Sequence, residues 1–225
     1  ASRGLGDVYK RQVMERLKEK VVVITGATSG IGRRTAEVCV EQGARVVVSG
    51  RRQTEGQKVA DSLGDSAIYV KADVAKEEDV QNLIQISKTT FGQIDCLFNN
   101  AGIPGNAGGL DTLETDQINT ELSVLINGVL YGMKHVSPIM KQQGHGSIIN
   151  TGSIAGQRAG YGVSLVYSIA KAAVIHASKC AAMELAEHKI RVNSLSPGAI
   201  VTGIFGKAFG LSDCLLYTSP SPRDA

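Results

Sequence analysis

Short runs of β-branched apolar residues alternate along this chain with longer stretches in which apolar positions recur every three or four residues. The runs are VVVIT (21–25), ARVVVSG (44–50), AIYVKA (67–72), DCLFNN (95–100), GSIINTG (146–152) and IRVNSLS (190–196). Helical spacing covers 30–42, 54–63, 76–91, 115–143 and 166–187. Strands apolar on both faces, each followed by a helix, predict a parallel sheet covered on both sides. Right-handed crossovers make this a doubly wound α/β layer, with its ligand crevice at the carboxyl ends of the strands. No repeat or linker interrupts the pattern, so a single domain over 13–212 is expected.

Composition narrows the picture. Of the 225 residues, 43% are hydrophobic and 20% charged, as in a globular protein with a sizeable core. The net charge is +3 with no long basic run, which argues against nucleic acid as a partner. Apolar runs stay well short of a membrane span. Cys39, Cys96, Cys180 and Cys214 are scattered, and His135, His145, His176 and His188 show no ligand spacing. Reduced thiols in a cytoplasmic protein without a metal site are the expectation. The two ends, ASRGLGDVYKRQ (1–12) and the Ser/Pro-rich 213–225, carry no apolar period. Both resemble translated sequencing adapter at the ends of a metagenomic fragment, so they are expected to be non-native tails.

Three glycines in seven residues follow the first strand: Gly26, Gly30 and Gly32 in TGATSGIG. Glycine loses much conformational freedom on folding, so three at fixed offsets call for a reason. In a doubly wound sheet the reasons are a tight turn, close approach of backbone to a pyrophosphate, and close helix–strand packing. Free amides of the following helix then make an anion site, with Ser29 and Ile31 between the glycines. Arg33 and Arg34 stand where a P-loop needs Lys-Ser/Thr, so this is not a P-loop.

TGATSGIG, NNAG (99–102), Ser153, YSIAK (167–171) and SPGAIVT (196–202) occur in the order and spacing of the short-chain dehydrogenase/reductase family. The chain resembles that family from about 14 to 212. The resemblance implies a Rossmann-like sheet of order 3-2-1-4-5-6, with the usual seventh strand and much of the substrate lid missing. It implies adenine contacts from Asp73 and Val74, and a loop beside the adenine ribose and central sheet from Asn99, Ala101 and Gly102. Pro197, Gly198, Ile200 and Thr202 match the loop that orients the nicotinamide amide. Lys171 would grip the nicotinamide ribose, and Asn127 would hold a water linking Lys171 to solvent. Homodimers or homotetramers in the full-length enzyme, paired through the long helices, are also implied.

Tyr167 and Lys171 stand four apart on a predicted helix, so both project from one face about 6 Å apart along the axis. An ammonium beside a phenol favours the phenolate, and reaching neutrality takes about three pKa units, roughly 4 kcal/mol, which the lysine charge and a nearby oxidised nicotinamide ring together would supply. Tyr167 is thus the expected general acid/base, and Ser153 the donor to the substrate oxygen. Tyr161, the rival phenol, has no lysine at plus four, and no G-x-S-x-G elbow suggests a hydrolase. An NAD enzyme usually ends its second strand on an acidic residue; here Gly50, Arg51 and Arg52 stand there. A guanidinium grips a 2′-phosphate that a carboxylate would repel, so NADP(H) is favoured and NAD(H) is the alternative. The reading is hydride transfer between the nicotinamide and a small-molecule secondary alcohol or ketone. A non-catalytic dinucleotide-binding regulator and an inactive truncated fragment are the alternatives, and the substrate itself is not specified.

Overall fold

The computed structural model describes residues 15–106, 108–161, 164–200 and 202. Both suspected tails and residues 203–212 lie outside those residues. Six strands, β1 (Val21–Thr25), β2 (Arg45–Gly50), β3 (Ala67–Lys71), β4 (Cys96–Asn99), β5 (Gly146–Thr151) and β6 (Ile190–Leu195), form one sheet. All pairings are parallel and the order is β3-β2-β1-β4-β5-β6. The chain reverses its direction of growth between β1 and β4, which opens a crevice at their carboxyl ends. Among the described residues β6 pairs only with β5.

Alternate β1 side chains go to opposite faces, as the two-residue repeat of a strand requires. Val22 and Ile24 join Ala36, Val46, Val48 and Val59 beneath α1 (Gly30–Glu41) and α2 (Gln53–Ser62). Val23 joins Leu83, Leu97, Val136, Ile148 and Val174 beneath α3 (Glu77–Phe91), α5 (Gly128–Gln143) and α6 (Leu165–Leu185). The stretch 115–143, expected as one helix, is divided into α4 (Thr115–Leu122), a π-turn (Ser123–Asn127) and α5. A π-turn adds a residue to one helical turn, often at functional sites, while leaving apolar spacing nearly unchanged. Periodicity therefore passes over it.

A buried amide ladder crosses the second layer. Asn99 Nδ2 donates to Asn150 Oδ1 at 2.9 Å, and Asn150 Nδ2 donates to Ser178 Oγ at 2.9 Å. Ser178 in turn donates to the Val174 carbonyl at 2.7 Å, which joins β4, β5 and α6.

At the opposite end of the sheet from the crevice, Asp95 gathers the chain. Its carboxylate accepts from Val21 N at 2.9 Å, Lys20 Nζ at 3.0 Å and Gln93 Nε2 at 2.7 Å, with His145 Nε2 at 3.2 Å. Burial pushes this carboxyl up, but the Val21 amide, Lys20 and His145 together outweigh it and hold it below its ordinary range. A carboxyl depressed by folding stabilises above its unfolded pKa of about 3.9, and that contribution is lost as pH falls through the lower folded value. Asp95→Asn is expected to cost about 2 kcal/mol at pH 7. That corresponds to a Tm lower by about 4–8 °C. Melts at pH 7 and pH 3 check this, because the gap between variant and parent should shrink at the lower pH.

Candidate active site

The glycine turn begins where β1 ends. Gly26 has φ +67° and Gly30 φ +56°, the left-handed region where side chains are strained. A Cβ on Gly32 would lie 2.5 Å from the Gly26 carbonyl oxygen and 2.6 Å from Asn100 Nδ2, so α1 can approach the turn only with glycine there. Ser29 precedes α1 without capping it by its side chain, and no acidic residue occupies the first turn. The leading amides of α1 thus remain available to an anion.

Two residues that motif reading passed over stitch this turn to the NNAG loop. Asn100 Nδ2 donates to the carbonyls of Thr25 (3.1 Å) and Gly26 (3.3 Å). Thr25 Oγ1 accepts from the backbone amides of Asn100 (3.0 Å) and Ala101 (3.1 Å). Both stood inside the quoted motifs; the signal was their hydrogen-bonding capacity at strand ends. Thr25, Val74, Ala101, Val124, Gly128 and Val129 then line a small cleft with Asn99 at the crevice. Asn99 itself is buried, and its amide faces the ladder described above rather than the bed. Gly102 lies behind the loop, where a Cβ would stand 3.6 Å from Leu125. Ile31 packs against the α1 and α2 core, and its carbonyl accepts from the Thr35 hydroxyl at 2.8 Å.

The charge at the end of β2 is cationic. Arg52 Nη2 donates to Thr28 Oγ1 at 2.8 Å and Ser29 Oγ at 2.7 Å, linking the β2 end to the glycine turn. Arg51 Nη1 lies 4.0 Å from Asp73 Oδ2, and Asp73 Oδ1 accepts from the Ala75 amide at 3.2 Å. A Cβ on Gly50 would come 2.8 Å from Thr28 Cγ2, so a carboxylate-bearing side chain has no room there without moving Thr28. On the far side, Ile154 N donates to the Pro197 carbonyl at 3.1 Å. Thr202 stands over the glycine turn, with its Cβ 3.5 Å from where a Gly30 Cβ would be. Gly198 faces open space and Ile200 is half exposed.

Ser153, Tyr167 and Lys171 come together at the end of β5 and the start of α6. Ser153 caps a short turn, its Oγ accepting from Ala155 N at 3.2 Å. Ser164 caps α6, its Oγ accepting from the Tyr167 amide at 3.2 Å. Lys171 is 3% exposed; its Nζ donates to the Thr151 carbonyl at 2.7 Å and lies 5.6 Å from the centroid of the Tyr167 ring. Burial lowers the Lys171 ammonium to about 8, which leaves it mostly charged at neutral pH. Asn127 closes the π-turn, which packs against α6. Among the described residues its amide makes no hydrogen bond to Lys171, whose partner is Thr151.

Burial pushes Tyr167 above its ordinary range, and the neighbouring Ser153 hydroxyl only partly offsets this. The protein's own groups therefore hold Tyr167 protonated at neutral pH. A protonated phenol beside a serine hydroxyl is a pair of groups that can both donate a hydrogen bond. The open amides of α1, the glycine contacts and the cationic β2 end fit a dinucleotide laid from α1 toward that pair.

Among the described residues no helix is long and apolar enough to cross a membrane, and no group of three His, Cys, Asp or Glu gathers to hold a metal. The family model for short chain dehydrogenase matches residues 20–210. A short-chain dehydrogenase reductase of Arabidopsis thaliana is 41% identical over 87% of this chain and 71% of its own length. Cyclohexanol dehydrogenase of Acinetobacter sp. strain SE19 is 38% identical over 85% of this chain and 77% of its own. The crystal structure of a 3-ketoacyl-(acyl-carrier-protein) reductase from Brucella melitensis, complexed with NADH, superposes with a TM-score of 0.81 at 33% identity. It covers 84% of this chain and 79% of that one. The chain belongs to the short-chain dehydrogenases, nicotinamide-dependent oxidoreductases built on a Rossmann-like parallel sheet.

Proposed function

We propose that this chain moves a hydride between NADP(H) and a secondary alcohol or ketone, with Tyr167 as general acid/base. The observation that carries this reading is the Tyr167 phenol standing over the buried Lys171 ammonium, with Ser153 beside it. When bound, a nicotinamide would provide or take up the hydride at the carbonyl or alcohol carbon. The Ser153 hydroxyl donates to the carbonyl oxygen and holds it where charge develops. Tyr167, protonated at neutral pH, passes its proton to that oxygen as the C–H bond forms. Lys171 stabilises the phenolate left behind, and solvent restores the proton. In the oxidative direction the same atoms run in reverse.

Support for NADP(H) comes from Arg51 and Arg52 at the β2 end, where Gly50 leaves no acid to repel a 2′-phosphate. Replacing both arginines by alanine is expected to weaken NADPH about 10–100-fold, the worth of charge-assisted hydrogen bonds. NADH should change far less. Arg52 also braces Thr28 and Ser29, so the ratio of the two affinities is the readout. Equal losses for both cofactors would count against the assignment.

The substrate class is supported by relatives named for alicyclic alcohols, such as cyclohexanol dehydrogenase. The stretch IAGQRAGYGVSL (154–165) is rich in small residues and carries few charges, which suits a rather apolar alcohol. Turnover of cyclohexanone and a panel of ketones, each run with NADPH and with NADH, tests the reading. Cofactor binding without turnover of any ketone or alcohol would overturn it in favour of a binding protein.

A further inference from the structure

Glu121 is 2% exposed, the only buried residue of α4, and it stands just before the π-turn. A carboxylate taken out of water is costly unless both oxygens find donors. Here they do. Oε1 accepts from the Asn106 backbone amide at 2.7 Å, and Oε2 accepts from the Ser164 hydroxyl at 3.1 Å. Ser164 Oγ in turn accepts from the Tyr167 amide at 3.2 Å, and the Ser164 carbonyl accepts from Ser168 Oγ at 3.0 Å. An unbroken chain of bonds thus runs from the loop after NNAG, through one buried carboxylate, to the backbone of Tyr167. A Cβ on Gly105 would lie 2.7 Å from Tyr167 Cβ, so this loop rests directly on the tyrosine.

We propose that Glu121 is a positioning residue for proton transfer, holding the first turn of α6 and the 103–106 loop together so that the Tyr167 hydroxyl is aimed at the substrate oxygen. This rests on Tyr167 being the acid/base. A buried acceptor orients the Ser164 hydroxyl so that its lone pair faces the Tyr167 amide. An apolar residue at 121 would fill the space but leave Asn106 N and Ser164 Oγ without that acceptor. The negative charge also lies at the amino end of α6, where the helix dipole favours it. Loss of the brace lets the first turn of α6 fray, and a displacement of about 1 Å at a reacting group costs about 10²-fold in rate.

The test compares Glu121→Ala, Glu121→Gln, Ser164→Ala and Tyr167→Phe in the full chain. Folding is followed by circular dichroism, binding by NADPH titration, turnover with the panel ketone reduced fastest, and backbone order by hydrogen exchange at the Tyr167 amide. Glu121→Ala should lower kcat about 30–100-fold while the Kd for NADPH stays within about twofold, with faster exchange at Tyr167. Glu121→Gln keeps an acceptor of the same length and should recover most of kcat. Ser164→Ala removes the cap and should fall between, about 5–10-fold down. Unchanged kcat and unchanged exchange in Glu121→Ala, with Tyr167→Phe inactive, overturn the proposal alone. Full turnover in Tyr167→Phe overturns the reading beneath it. If Glu121→Ala does not fold, unchanged kcat in both Glu121→Gln and Ser164→Ala overturns the proposal, and a loss in Ser164→Ala with the Kd for NADPH unmoved upholds it.

Discussion

Tyr167→Phe is expected to lower kcat for ketone reduction by about 10³-fold, within the 10²–10⁴ range that a positioned acid or base contributes. The substitution keeps the half-buried ring and its packing against Lys171, and removes only the hydroxyl. Ser153 still offers one hydrogen bond to the carbonyl oxygen, but its hydroxyl is far too weak an acid to deliver the proton. Tyr161 cannot stand in, because it is 60% exposed and has no lysine at plus four. Affinity for NADPH should stay within about twofold, since the groups proposed to hold the phosphates lie on α1 and β2 rather than α6. Steady-state turnover with cofactor titration checks both halves. A variant that reduces ketones at the parent rate would remove Tyr167 from the mechanism.

Gly156→Ala is expected to have the second largest effect. The turn Ile154–Gly156 lies flat against α6, and an added Cβ would stand 2.5 Å from the Lys171 carbonyl carbon and 2.6 Å from Ala172 N. Those are backbone atoms, so no rotamer change relieves the contact. The turn and the helix must move apart, and they carry Ser153 on one side and Tyr167 with Lys171 on the other. Overpacking of this kind costs about 1–3 kcal/mol. The same movement should lower kcat about 100-fold, because donor and acid no longer converge on one oxygen. A thermal melt and kcat, measured together on the variant, are the check. Parent values for both would mean that the turn can yield without moving Ser153 away from Tyr167.

The strands were legible because β-branched runs bounded by polar and glycine residues leave little choice of ends; β1 runs over 21–25 as expected and the others differ by about a residue. The sheet order followed from right-handed crossovers together with the family resemblance. Tyr167 and Lys171 on one helix face were legible from spacing alone. The direction of the Tyr167 shift was not, because sequence does not record how much of the ring is desolvated. The π-turn at 123–127 was hidden for a different reason: an extra residue in one turn hardly disturbs the apolar pattern. Glu121 was hidden because a glutamate on a short polar helix reads as a surface residue. Asn99 was legible as a motif member, but not which way its amide turns.

The amide ladder from Asn99 through Asn150 to Ser178 has a consequence for how the sheet assembles. A strand of alternating apolar residues can slide along its neighbour by two positions and keep the same face inward, so oily contacts alone tolerate that error. Paired amides do not, since sliding β5 against β4 would strand two desolvated polar groups at about 1–3 kcal/mol each. The ladder thus works as an alignment pin, discriminating against mis-threaded intermediates and delivering the carboxyl end of β5 to the crevice at one height only.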